Sequence, residues 1–428
     1  MRVLFTTPVL LHPPAGGPAL RIENSIKALN QVSELHVVSR LSKEEIGGEQ
    51  AEIFYKKICH KFFYSPGKRS SVFGKLSKFR FNTRDRYINF VFNLPFRSWS
   101  KVYWLATKRE SIEEQHARFL ISYHDAKKIE AIWFGYGNIS YDLMRRIKTE
   151  RPEIKIVCDT DSVWSRFVLR ELPYENDPMR KKEIEKRGKR KELEEADWVN
   201  FCDVTTAVSD VDAQYYRELS ENKEKVLLFS NGIDLKNYEA RPQRPSNFKK
   251  PCMYIAGSYG PKSPMDKATR WVIERVLPVV KKEIPEIHFY IVGAGSDHTL
   301  SDINDPSITI TGKLDSVLPY LCNADVSLVP LKFESGTRFK ILEAGACNIP
   351  VVSTTLGAEG IPLTDQKDVL IAEEPEEFAN SVIRIIRDKE YAGYVASNCR
   401  TLVEQRYSIN RLAEEAKDIL DYLKKHRQ

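Results

Sequence analysis

The residues most able to do chemistry are concentrated in one stretch, SGTRFKILEAGACNIPVVSTTLGAEGI, residues 335–361. The apolar run DVSLVP (325–330) leads into it as a strand, and the spacing that follows predicts a helix over 338–347. The joining loop opens that helix at Gly336–Thr337. Unpaired backbone N–H groups at a helix N-terminus, aided by the helix dipole, bind anions. Gly336 lets a ligand approach the backbone, Thr337 supplies a hydroxyl, and Arg338 and Lys340 bring cations to the same end. Glu343, about one and a half turns further on, can accept hydrogen bonds from sugar hydroxyls. Together these groups suit a sugar diphosphate. The same pattern also fits a capped surface helix whose Arg and Lys are simply solvated.

A second cluster is CDTDSVW (158–164). Asp161 can accept hydrogen bonds from sugar hydroxyls and stabilise positive charge on an oxocarbenium-like centre. Its plainer role would be a helix N-cap. Asp159 and Asp161 also spell an Asp-x-Asp metal pattern, but a tripeptide is a weak signal and the two-block architecture below speaks against it. No catalytic metal and no cofactor is expected. VGAGSDH (292–298) has only two glycines of a dinucleotide fingerprint, the eight His residues show no HxxxH-like pair, and GxSxG elbows and P-loops are absent. Seven Cys residues, an odd number without a CxxC, read as the reduced thiols of a cytoplasmic protein.

These groups need elements to hold them. RVLFTT (2–7), a Pro/Gly loop, a helix over 19–30 and ELHVVS (34–39) make a βαβ unit, which points to a parallel sheet. Strands at 130–134, 154–159, 204–209 and 225–230 continue it, with a helix over 139–150 and a highly charged, solvated helix over 177–198. ARPQRPSNFKK (240–250) is the clearest linker. A second alternating block follows, with strands at 252–257, 288–293, 307–311, 325–330, 349–354 and 368–373. Its helices are expected at 266–282, 315–322, 338–347, 375–388, 390–405 and 409–425. The fold class is α/β, with two Rossmann-like domains whose parallel sheets face across a cleft, the default ligand site. The first domain spans 1–240 with an insertion at 55–110, the second 241–405, and a closing helix 406–428.

Over most of its length the chain resembles family 4 glycosyltransferases of the GT-B fold, in the variant whose donor segment reads G-T-R-x-K-x-x-E-A (336–344). PCMYIAGSYG (251–260), HFYIVGAG (288–295), ITGKLDSVLPYLCNADVSLVPL (310–331), TAVSDVD (206–212), FSNGIDLKNY (229–238) and YSINRLAEEAKDILDYL (407–423) resemble further family segments, all in the family's order. The resemblance implies retaining transfer from a nucleotide-sugar substrate without a catalytic metal. It implies that Glu343 contacts the donor ribose and that Gly336, Thr337 and Arg338 line the diphosphate. It further implies that Gly16 and Gly17 form the phosphate and acceptor loop, and that Gly312, Lys313 and Leu314 lie in the base-binding stretch. Ser335 stands eight positions before Glu343, where members commonly carry a Glu that touches the donor sugar; here Glu334 is one position off. Ser258 replaces a common Arg after Gly257, and Lys262 lies near the place of a common Lys, which leaves the diphosphate charge to Arg338 and Lys340. Asp161 stands where members often have a His that contacts the donor sugar.

Charge is uneven. Residues 55–110 hold 14 Lys and Arg against two acidic residues, a local charge of +12 in a chain of net +7, so the remainder is −5. Thirteen aromatics interleave with these cations over 62–104. Aromatics at headgroup level and cations against anionic lipid suit a peripheral membrane contact; inward-packing aromatics beneath solvated bases are the other reading. No apolar run approaches the ~18 residues of a span, and the N-terminus lacks the pattern of a secretory signal. The expected place is the cytoplasm, on the inner face of the membrane. The expected acceptor is a glycan or lipid-linked intermediate, and nucleic acid is not an expected partner. A nucleotide-sugar 2-epimerase of the same fold and a basic nucleic-acid-binding protein are the competing readings.

Overall fold

The computed structural model describes residues 1–65 and 112–426. The first sheet holds β1 (Arg2–Thr7), β2 (Glu34–Ser39), β3 (Lys61–Tyr64), β4 (Ala131–Gly135), β5 (Ile156–Asp159), β6 (Val204–Ala207) and β7 (Val226–Leu228), in the order β3-β2-β1-β4-β5-β6-β7. The second holds β8 (Cys252–Ala256), β9 (His288–Val292), β10 (Ile308–Ile310), β11 (Val326–Val329), β12 (Val351–Ser353) and β13 (Leu370–Ile371), in the order β10-β9-β8-β11-β12-β13. Every pairing is parallel. Helices cover both faces of the first sheet, so its strands are apolar nearly throughout and two separate cores form on its two sides. The second domain has its own core around β8, β9 and β11.

Strand order reverses between β1 and β4 and again between β8 and β11. Ligands of open parallel sheets bind outside the carboxyl ends of the strands at such points. The chain leaving β8 starts at Gly257, and the chain leaving β11 runs through residues 335–338, so topology alone places this segment at a switch point.

The first domain's helices are α1 (Gly17–Val32), α2 (Gly48–Ile58), α3 (Ile112–Lys127), α4 (Tyr141–Glu150), α5 (Trp164–Leu169), α6 (Pro178–Phe201) and α7 (Asp210–Leu219). The helix expected at 266–282 is split into α8 (Pro264–Trp271), a π-helical turn (Val272–Val276) and α9 (Leu277–Glu283). Pro278 has no N–H to give to a regular turn, and the widened turn precedes it. Then follow α10 (Phe339–Ala346), α11 (Pro375–Arg387), α12 (Lys389–Arg406) and α13 (Ile409–Lys425).

The closing helix α13 crosses back to the first domain. Leu412, Ala416, Ile419 and Leu420 enter the core beside α1, and Glu415 accepts hydrogen bonds from Ser230 N (2.7 Å) and Oγ (3.0 Å). Cutting the fully buried Ile419 to Ala should therefore destabilise the chain by about 2–5 kcal/mol in urea unfolding, the cost of a core cavity. A change below about 0.5 kcal/mol, typical of a surface site, would mean the helix is not anchored there.

The stretch 55–110 is not an insertion from its first residue. Tyr55 finishes the buried face of α2, and residues 61–64 are the edge strand β3. Phe62 stacks on Tyr55 at 5.5 Å and meets Tyr64 edge-on at 5.3 Å, and Phe63 packs on Tyr123 at 4.6 Å, so these three of the 13 aromatics serve the fold. Residues 66–111, which carry the rest of the membrane reading, lie outside the described residues. No described helix is long and apolar enough to cross a membrane. The charged helix α6 is also more than a solvated connector: Trp198 is fully buried, and Glu195 accepts from Ser165 N at 3.0 Å and from Ser165 Oγ.

Candidate active site

Residues 331–338 climb from β11 to α10. The helix begins at Phe339, with Arg338 extended at the N-cap, so Gly336 and Thr337 form the approach and not the first turn. Gly336 has φ +81°, and a Cβ there would lie 2.6 Å from the Asp161 carbonyl oxygen and 3.0 Å from Ser162 Cβ. Only a glycine fits both the left-handed backbone and that approach. The loop before α10 and the Asp161 backbone, 175 positions apart in sequence, are thereby in contact.

Asp161 Oδ1 accepts hydrogen bonds from Asn138 Nδ2 (2.6 Å) and from the Trp164 indole N–H (3.1 Å). It does not cap a helix; α5 starts after Val163 without a side-chain cap. Burial pushes its pKa up, opposed by these two donors and by Arg21. Asp159 is committed elsewhere. Its Oδ1 takes Arg21 Nη2 at 2.6 Å and Thr206 Oγ1 at 2.9 Å in the interior. The two aspartates therefore differ in role despite their spacing.

Arg21 also donates to Asn231 Oδ1 (2.7 Å), and Asn231 Nδ2 donates to Thr337 Oγ1. A buried polar chain thus runs from the first sheet to the loop before α10, and Thr337 is an acceptor in it. Arg338 is buried and folded back. Its Nη1 donates to Ser335 O (2.8 Å) and to Gly336 O, and its Nε lies 3.0 Å from Glu334 Oε2. The guanidinium thus holds the loop's own carbonyls, not a free place beside a phosphate, and Glu334 is turned onto it. Ser335 Oγ is buried with no hydrogen-bond partner among the described residues.

Lys340, in the first turn of α10, is half-buried. It makes no ion pair among the described residues, its Nζ lies 3.2 Å from Met265 Sδ on α8, and desolvation lowers its pKa. Glu343, one turn on along the same face, accepts a hydrogen bond from Tyr238 Oη–H at 3.1 Å, and burial pushes its carboxyl up to about 6. Gly16 (φ +81°) caps α1, and a Cβ on Gly17 would lie 3.2 Å from the Phe339 ring, so the N-termini of α1 and α10 meet.

Gly257, Gly293 and Gly312 converge at the carboxyl ends of β8, β9 and β10. A Cβ on Gly293 (φ +133°) would strike Gly257 O at 1.9 Å, and Gly312 N donates to Ser296 Oγ at 3.1 Å. The glycines let these backbones close on one another, with Met265 against Gly257 and Asp297 against Gly312, in a close-packed glycine floor. Lys313 beside it is exposed, and Leu314 packs partly into the second core. The domains are clasped at the rim. Arg170 forks onto Glu359 at 2.7 and 2.9 Å and donates to Glu334 O at 2.7 Å, and Tyr174 stacks on Phe333 at 5.5 Å.

Sequence reading missed Asn138, Trp164, Asn231, Arg170 and Tyr238. Asn231 and Tyr238 sit inside FSNGIDLKNY and Trp164 closes CDTDSVW, segments it did single out.

The structure superposes on that of sucrose-phosphate synthase from Thermosynechococcus elongatus with a TM-score of 0.68, at 14% identity over 99% of this chain and 100% of that one. HepE from Anabaena in complex with UDP-glucose gives 0.65, at 11% identity over 98% and 99%. The lipopolysaccharide outer core galactosyltransferase WaaB gives 0.58, at 13% identity over 98% and 99%. The chain has the GT-B fold. Residues 253–388 of this GT-B chain match the family model described as Glycosyl transferases group 1. That span holds the glycine floor, Lys340 and Glu343. No curated protein sequence matches the chain.

Proposed function

We propose that this GT-B protein is a metal-independent glycosyltransferase that moves a hexosyl group, with retention, from a nucleotide-diphosphate sugar to a glycan or lipid-linked acceptor. The observation that carries the reading is Lys340: a half-buried ammonium with no ion pair within 4 Å among the described residues, one turn from Glu343, near a glycine floor and two helix N-termini. A partly desolvated cation costs stability unless an anion meets it. A diphosphate between Lys340 and the amides of α10 supplies that anion and is a good leaving group. Glu343 accepts hydrogen bonds from the ribose. The Asp161 carboxylate, held by Asn138 and Trp164 on the segment whose backbone meets Gly336, stabilises positive charge at the anomeric carbon. HepE was seen with UDP-glucose and WaaB transfers galactose to a lipopolysaccharide core, so uridine donors and surface-glycan acceptors head the screen.

Glu343→Ala tests the ribose contact. Donor affinity should fall by roughly 1–3 kcal/mol, about 5- to 150-fold, with the fold intact. In the wild type the contact needs the carboxylate. Donor binding should therefore weaken as pH drops through about 6, and the variant should lack that limb. Titration calorimetry showing equal affinity in both proteins would remove Glu343 from the site.

Turnover should survive excess EDTA, because Lys340 and helix amides balance the diphosphate and Asp159 is held by Arg21. Complete loss in EDTA with recovery in Mn²⁺ would reinstate the aspartate pair as a metal site.

A further inference from the structure

We propose that Glu34, His36 and His60 form a site for one divalent transition metal of the zinc class, at the amino ends of the first sheet and away from the cleft. The sequence offers no spaced histidine pair; strand register creates one. Glu34 and His36 lie two apart on β2, so their side chains share a face. His36 pairs with Lys61 of β3, and His60 N donates to Leu35 O at 2.9 Å, which sets His60 beside them.

The three ligand atoms lie within 4.8 Å of one another. His36 Nε2 is 3.2 Å and His60 Nε2 is 3.8 Å from the same oxygen, Glu34 Oε1. In a tetrahedral site with bonds of about 2.0–2.1 Å, ligand atoms stand ~3.3 Å apart, so only a small swing of the exposed His60 closes the set. The two imidazoles are near parallel, 6° between planes. Outer partners fix the inner ones. His36 Nδ1 lies 3.0 Å from Tyr123 Oη, which can accept from Nδ1–H and leave the Nε2 lone pair for a metal. Arg2 forks onto Glu34 at 2.8 and 3.0 Å and locks its rotamer, while each carboxylate oxygen keeps a second lone pair. Arg2 and the nearby Lys61 oppose hard cations held by charge alone. The site therefore selects metals that bind neutral imidazole strongly, with solvent in the fourth position. Its occupancy ties the edge strand β3 to β2.

The test uses the full chain stripped with chelator and kept reduced, since all seven thiols are buried. Zinc chloride is titrated against a chromophoric zinc indicator, and melting is followed with added zinc. The wild type should take up one equivalent and melt higher as zinc rises. His60→Ala, at an exposed position that leaves the core intact, should weaken binding more than tenfold and cancel the rise. His298→Ala, at a fully solvated histidine beside Asp297, should behave as wild type. No stoichiometric uptake, or equal affinity in the His60 variant, would overturn the site.

Discussion

Replacing Lys340 with Met is expected to weaken donor binding by about 2–4 kcal/mol, or ~30- to 900-fold, while making the ligand-free protein more stable. The two effects have one cause. Without donor, the half-buried ammonium is partly desolvated, the more distant Glu334 and Glu343 offset this only in part, and it lies against the Met265 thioether, where a second Met packs well. The pH dependence has a definite sign. A lysine whose pKa is lowered by folding carries its penalty wherever it stays charged. The unfolded chain holds that proton to higher pH, so wild-type stability should gain as pH rises from the lowered value through the ordinary lysine range. The Met variant should lack that gain. A variant that melts lower and binds donor unchanged would show that Lys340 is a packing residue.

Replacing Asp161 with Asn should lower turnover by about 10²- to 10³-fold and shift donor affinity only a few-fold. Asn retains an oxygen for Asn138 and Trp164, so the geometry persists and only the charge is lost. Burial raises the Asp161 pKa, so activity that needs its carboxylate should fall off in acid above the usual aspartate range, in kcat. The Glu343 limb should appear instead in KM, which separates the two carboxyls. Equal turnover in the Asn variant would leave Asp161 as a bracket between α5 and the loop after β4.

The strands were legible because each is a short apolar run bounded by turn residues; β1, β2 and β8 fall within a residue of where periodicity puts them. β3 was hidden because KFFY sits in a basic, aromatic stretch whose alternation is masked, and it is a sheet edge. Lys340 and Glu343 were legible as a helix face near a glycine loop. The different fate of Arg338 was not, since nothing in the order G-T-R says that the loop's own carbonyls would claim the guanidinium. Asp161 could be suspected from its neighbours, but its contact with Gly336 depends on two domains closing, which no local pattern encodes. The polar chain from Asp159 through Arg21 and Asn231 to Thr337 draws on positions more than 300 residues apart and becomes visible only in three dimensions.

The most direct measurement is melting of the reduced full chain against a panel of nucleoside diphosphates and their sugars, in EDTA, for the wild type, Lys340→Met and Glu343→Ala. One base series, uridine first, should raise the wild-type melting temperature with concentration. In both variants the midpoint should move to markedly higher ligand concentration. A wild type unmoved by every nucleoside diphosphate, or variants shifted as strongly as the wild type, would contradict a nucleotide-sugar site on α10.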